Sequence, residues 1–264
     1  MTIGGLYSYL QSICGLQIIS LAAEDAQTEI LVSNDYAQAD KLIVFVNDSG
    51  SLGVWREGNS YQADDINHPF SMLPYLKYFI IEKGYRAIVC NPYTNGTNPN
   101  DHLASVWNQL ICSQTSCKVD FIVAGEGGKA VFHLLSQFEQ SCYERLRRIA
   151  FLQSTHALTD ENSSPKALET LGRRSVNWLG AIDKPLGSQF IPLQDRVGCV
   201  CLSTGFISPN PSHSSEIYPI ELSPEHLEHM KYVIFLFVSS NPPNPRMTAI
   251  VKDIRRILRE HNEE

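Results

Sequence analysis

The chain has no run of 18 apolar residues, so no membrane-spanning helix is expected. It has no Lys or Arg among its first twenty residues, and Ser8, Gln11, Ser12 and Gln17 interrupt the apolar start. That stretch therefore does not read as a secretory signal. Charge is sparse, at 19% of residues, and positive charge is the scarcer sign: 21 Lys and Arg against 28 Asp and Glu leave −7. That balance argues against a free-standing nucleic-acid binder, because neutralising phosphates needs a basic face. Cysteine is limited to seven residues, an odd count lying mostly within apolar segments, which suits reduced thiols in the cytosol or nucleus. Internal repeats are absent. The sequons at Asn47, Asn95 and Asn162 would matter only on a secretory route. What is present is a globular composition, 43% hydrophobic over 264 residues, long enough for one large α/β domain with a substantial core.

The order along the chain is strand, loop, helix. Residues 15–21 and 28–33 read as a strand hairpin. Segments 41–46, 85–90, 118–124, 148–153 and 198–203 are short and almost continuously apolar, as in strands buried on both faces of a parallel sheet. Helical spacing or capping marks 69–83, 101–112, 129–140, 165–175 and 223–238. Strands alternating with helices predict a three-layer α/β fold with a mainly parallel sheet. We place that domain at 1–240, with a separate amphipathic helix at 246–262 behind the proline run 242–245.

The segment from 118 to 140 should carry any chemistry. A strand, a tight turn and a helix meet at Val123-Ala124-Gly125-Glu126-Gly127-Gly128. This is the layout of a nucleophile elbow, where small neighbours allow a strained turn and close backbone approach. The nucleophile position falls on Gly125, which has no side chain. In a shifted register the carboxylate of Glu126 stands at the tip instead. The bland alternative is a glycine-rich turn without chemistry. A phosphate loop is disfavoured, since the spacing is not G-x-G-x-x-G and Glu126 would repel the anion.

Several further stretches extend the pattern. Lys41-Leu-Ile-Val-Phe-Val-Asn-Asp-Ser-Gly50, Trp55, Glu82-Lys83-Gly84-Tyr85, Ala87 to Pro92, Val106-Trp107, Gly127-Gly128, Ala150 to His156 and Asn177-Trp178 follow in order over residues 28–240. Together they resemble the argonaute-binding "Arb-two" domain family. That family includes animal cotranscriptional regulators and a C-terminal domain of fungal class II histone deacetylases. The resemblance implies an α/β-hydrolase-like fold. It also implies a role in gene silencing, heterochromatin, RNA interference or cotranscriptional RNA processing, in nucleus and/or cytoplasm, with argonaute or chromatin proteins as partners.

The departures from the family pattern are informative. The family's His-Ser elbow becomes Ala124-Gly125, and its His-Gly in the first loop becomes Asn47-Asp48. Gln153 stands for an Asp, and the acid expected near Thr204-Gly205 is missing. Asp48, Ser49, His156 and His213 remain as remnant candidates. A Ser-His-Asp mechanism cannot be carried over. The expected function is a non-catalytic, hydrolase-like interaction module. The alternatives are an active or latent serine or carboxylate hydrolase, or a pseudoenzyme that binds a small ligand.

No cofactor and no metal site is expected. His226 and His229, three apart on one helix, lack a third ligand and read as a solvated face. Cys199 and Cys201 read as strand packing. Arg145, Arg147, Arg148, Arg173 and Arg174 read as solvated, with no aromatic stacking platform beside them. Direct nucleic-acid contact and membrane contact are not expected. In the last helix Met247, Ile250, Val251, Ile254, Ile257 and Leu258 fall on one face, opposite Lys252, Arg255, Arg256 and Arg259. That stripe should bury itself on the domain, on a partner, or on a second copy as an oligomer contact.

Overall fold

A computed structural model describes residues 5–22, 27–57, 65–93, 98–113, 117–158, 164–180, 184–205, 222–239 and 256. Eight strands form one sheet: β1 (Leu16–Ala22), β2 (Gln27–Ser33), β3 (Leu42–Val46), β4 (Arg86–Cys90), β5 (Val119–Ala124), β6 (Leu146–Leu152), β7 (Ser175–Leu179) and β8 (Val200–Ser203). The strand order is β1-β2-β4-β3-β5-β6-β7-β8. β2 runs antiparallel to β1 and β4, and every other pair is parallel. This is the strand order of the α/β-hydrolase fold. The five apolar segments read from the sequence are β3, β4, β5, β6 and β8, joined by parallel pairings within the one sheet.

Helices cover both faces. On one lie α1 (Gly5–Cys14), α2 (Leu73–Leu76), which continues as a π-helical turn Lys77–Glu82, and α8 (Pro224–Ser239), packed on Ile43, Phe45, Val89, Ile122 and Leu152. On the other lie α3 (Pro99–Val106), α4 (Gly127–Gln137), α5 (Glu139–Arg145), α6 (Pro165–Arg174) and α7 (Ile191–Val197), packed on Val44, Val46, Phe121, Val123 and Phe151. The alternation of contacts explains the unbroken apolar strands: each residue of β3 and β5 is buried, whichever face it meets.

Four expectations are corrected. The helix expected at 101–112 starts earlier, because the Asn98 side chain accepts from the Asn100 N–H at 3.0 Å and Pro99 follows. β7, Ser-Val-Asn-Trp-Leu, was hidden by its polar residues, although all five are buried. The arginines are not a solvated set. Arg147 grips the buried carboxylate of Asp120, donates to Tyr85 Oη at 2.6 Å and caps α8 through the Val238 carbonyl at 2.8 Å. Arg148 is 6% exposed and sits over the Phe237 ring at 5.2 Å. Of the histidine pair, His226 faces inward while His229 stays exposed, as a solvated face requires. His226 is fully buried, with Nε2 3.1 Å from Thr204 Oγ1, and His229 Nε2 meets the Thr204 carbonyl at 2.8 Å.

Asn47 is fully buried, so its sequon is closed in the folded chain. The sequons at Asn95 and Asn162, His213, the helix at 246–262 except Arg256, and its apolar stripe lie outside the described residues.

Two buried histidines predict an acid limit. Burial, with His229 beside it, pushes His226 down to about 3, and burial pushes His102 down to about 4. Both are held neutral in the fold and charge freely when unfolded near pH 6.5. Their contribution to stability is therefore full above about pH 6.5 and is lost as pH falls toward 4 and 3. At pH 5 each costs about 2 kcal/mol. Urea titrations between pH 7.5 and 5 should show the midpoint falling, and His226→Gln should flatten that slope. An unchanged slope in the variant would remove His226 from the account.

Candidate functional site

The candidate site lies at the carboxyl ends of β3, β5 and β6, where α4 begins. Gly125 follows β5 with φ +44°, in the left-handed region that glycine enters at little cost. The chain then turns directly into α4. An elbow therefore exists in shape.

Three loops crowd onto it. A Cβ on Gly125 would lie 2.5 Å from Asp48 Oδ1 and 2.6 Å from its Cγ. One on Gly127 would lie 2.5 Å from the Asn47 carbonyl oxygen, and one on Gly128 only 1.7 Å from Ser154 Oγ. Gly127 is thus required by a backbone approach, while Gly125 and Gly128 make room for the Asp48 and Ser154 side chains, and the glycine-rich turn is a packing solution.

Asp48 fills the place of the absent nucleophile. Its Oδ1 accepts the Glu126 N–H at 2.8 Å, and its Oδ2 lies 3.8 Å from Arg56 Nε. Asp48 reaches that position because Asn47 is fixed on both sides. The Asn47 amide donates to the Gly50 carbonyl and to Asn91 Oδ1 at 3.0 Å, and the Asp48 N–H donates to the Trp55 carbonyl at 2.9 Å. In an acyl-transfer elbow, the N–H of the residue after the nucleophile belongs to the oxyanion hole. Here that N–H belongs to Glu126, and the chain's own carboxylate already holds it.

The other candidates separate. Glu126 points outward, paired with Lys129 and accepting from Thr155 Oγ1 at 2.5 Å, while its carbonyl accepts from Tyr93 Oη at 2.6 Å. Partial burial opposes its ionisation, but the bonds from Lys129 and Thr155 outweigh this and hold the carboxyl below its ordinary value. Ser49 is exposed beside Asp48. His156 is fully buried, with Nδ1 2.7 Å from Ser154 Oγ and Nε2 3.0 Å from the Val197 carbonyl, and its ring packs 4.5 Å from Phe151. Both ring nitrogens are therefore committed to structure. Among the described residues no group of three or more His, Cys, Asp or Glu could hold a metal ion.

β7 changes where the missing acid should be sought. In chain order a triad runs nucleophile, acid, histidine. With β7 in place, the acid turn is the end of β7, and the loop after β8 is the histidine's. The turn after β7 begins at Gly180, whose N–H is taken by the Gln153 side chain at 2.7 Å. A Cβ there would meet the His226 ring at 2.7 Å. Gln153 itself carries φ +54°, the one positive φ outside glycine among the described residues. Sequence reading missed Asp48 as the occupant, Arg56, Tyr93 and Thr155. The available signal was that Gly125 leaves a volume unfilled.

Comparison with known proteins agrees with this frame. The Arb2 domain model matches residues 94–185, within the stretch that carried the resemblance. A Cotranscriptional regulator ARB2A homolog from Dictyostelium discoideum is 25% identical over 228 residues, covering 69% of this chain and 58% of its own length. The chain thus spans little more than half of that relative. The structure of the histone deacetylase Clr3 superposes with a TM-score of 0.57 at 14% identity, covering 88% of this chain and 36% of the other. A histone deacetylase from Saccharomyces cerevisiae gives 0.52 at 13% identity, covering 88% and 92%. At those identities the two structures establish the shared fold alone.

The occupied elbow can be tested energetically. Gly125→Ser should destabilise by roughly 2–5 kcal/mol, from a side chain at positive φ and from overlap with Asp48. Adding Asp48→Ala should recover part of that loss, giving a coupling of about 1–3 kcal/mol in a double-mutant cycle. Additive losses in chemical denaturation would mean that Asp48 does not fill the serine's place.

Proposed function

We propose that this chain is a non-catalytic, hydrolase-like module that works through protein partners in gene regulation, at chromatin or during transcription. The observation that carries the non-catalytic part is the Asp48 carboxylate, bound to the Glu126 N–H where an oxyanion would develop. Gly125 supplies no nucleophile, and His156 is committed to Ser154 and Val197. The regulatory part is supported by the Arb2 domain match and by the regulator from Dictyostelium. Argonaute and silencing factors are the finer form of the same proposal, and the nucleus is the compartment it requires. The sites of contact are surfaces of the fold.

A fluorophosphonate probe and short-chain ester substrates, applied to the full chain, should give neither labelling nor turnover. Labelling at Ser49, or turnover that disappears in Asp48→Ala or Glu126→Gln, would establish a hydrolase and overturn the reading. For the regulatory half, the tagged chain expressed in cells should co-purify with chromatin after nuclear extraction, and an exclusively cytoplasmic distribution would refute it.

A further inference from the structure

All six parallel strands start at the same edge of the sheet, and each starts through a cation. Lys41 precedes β3, Arg86 opens β4, Lys118 precedes β5, Arg147 lies second in β6, Arg174 precedes β7 and Arg196 stands four residues before β8. The strand order sets them side by side as one row, from β4 through β3, β5, β6 and β7 to β8. With about 4.8 Å between neighbouring strands, the row is about 24 Å long. Lys83 and Arg173 add exposed charge beside it.

Part of this charge has a structural use. Arg147 donates to the Val238 carbonyl near the end of α8, while Arg174 and Lys118 donate to the Tyr143 and Glu144 carbonyls near the end of α5. A helix end carries only about half a unit of negative charge, so a full cation capping it leaves a positive remainder. Carboxylates offset the row unevenly. Asp35, Asp120 and Glu169 pair with Arg86, Arg147 and Arg173, whereas Lys41, Lys118, Arg174 and Arg196 make no ion pair among the described residues. Counted from six residues before each strand to its third residue, with Asp35 added, ten cations stand against seven carboxylates. The edge is thus at +3 in a chain of −7, which leaves −10 for the remainder. The basic face that the overall balance disfavours is present, concentrated by topology.

We infer that this edge is a docking row for an extended acidic segment of a partner protein. Seven extended residues span about 23 Å, the length of the row. Two observations favour an acidic peptide over a nucleic acid. The tyrosines beside the row offer no open ring for stacking a base: Tyr85 is 3% exposed, and the Arg174 guanidinium covers Tyr143 at 4.8 Å. A polyanion longer than the row would also run onto the acidic remainder of the chain and be repelled there. The inference gives a chemistry to the partner of the proposed interaction module and rests on that reading. Its test reads neither hydrolysis nor chromatin association, so either reading can fail alone.

The test measures fluorescence anisotropy of a labelled oligoglutamate of about eight residues with the full chain, beside a single-stranded oligouridine of equal charge. The expected result is saturable binding of the peptide that weakens as salt rises toward about 0.3 M. Lys41→Glu combined with Arg196→Glu should weaken it about tenfold with Tm unchanged, since both side chains are exposed. Lys41→Gln with Arg196→Gln, which only removes charge, should weaken it in the same direction and guards against a folding defect. Lys166→Glu, at the opposite end of α6 from Arg174, lies off the row and should change little. No saturable binding, an unchanged affinity in the Lys41 and Arg196 variants, or an equal loss in Lys166→Glu would overturn the assignment. Tighter binding of the oligouridine would overturn it in favour of a nucleic acid.

Discussion

The N-terminus of α4 is the point on which the carboxyl edge of the sheet depends. Three chain segments meet there with no room for a Cβ at Gly125, Gly127 or Gly128, and the neighbours are the ends of β3 and β6. The hydrogen bond from the Glu126 N–H to Asp48 locks the first of these approaches. Ser154 and His156 lock the third. Once these are fixed, β3, β5 and β6 can lie in parallel register, and the helices on either face follow from the apolar residues each strand presents. A larger residue at Gly127 would have to push the Asn47 backbone away, whereas at Gly125 and Gly128 the side chains of Asp48 and Ser154 would have to move.

Relative magnitudes identify which contact holds Asp48. A hydrogen bond to a charged group contributes about 1.5–3 kcal/mol. The Arg56 pair, at 3.8 Å and with the guanidinium about a third exposed, contributes under about 1 kcal/mol after screening. The amide bond is therefore dominant, helped by the positive end of α4. Arg56 orients the carboxylate more than it stabilises it.

Much of the fold was legible because burial on both faces leaves an unmistakable apolar run: β3, β5 and β6 are visible in the residues alone. β7 was not, because Ser175 and Asn177 interrupt its run. They are buried and bonded: Ser175 Oγ donates to Leu171, and Asn177 and Ser154 exchange two hydrogen bonds near 3 Å. α1 was not, because its sequence resembled an interrupted signal segment. In the site, the turn and its glycine were readable from spacing. The position of Asp48 was not, because it depends on contact between loops 78 residues apart. His226 misled for a related reason: a polar helix face on paper is a buried face when Thr204 and Gly180 close over it.

One pairing becomes legible only when the structure is set beside the sequence. Relative to the Arb-two pattern that the sequence resembles, Asp48 stands where a glycine is expected and Gly125 where a serine is expected. The two changes are opposite in volume and meet in space, so each relieves the strain the other would cause. A lone loss of the serine would have left a hole above the turn. A lone gain of the aspartate would have collided with it. The pair keeps the packing of the elbow and sets a carboxylate, in place of a hydroxyl, against the Glu126 amide. An intramolecular carboxylate held at 2.8 Å competes with any incoming oxyanion without the translational loss that association requires. The contact that fixes the architecture of the turn is therefore the same one that occupies the Glu126 amide.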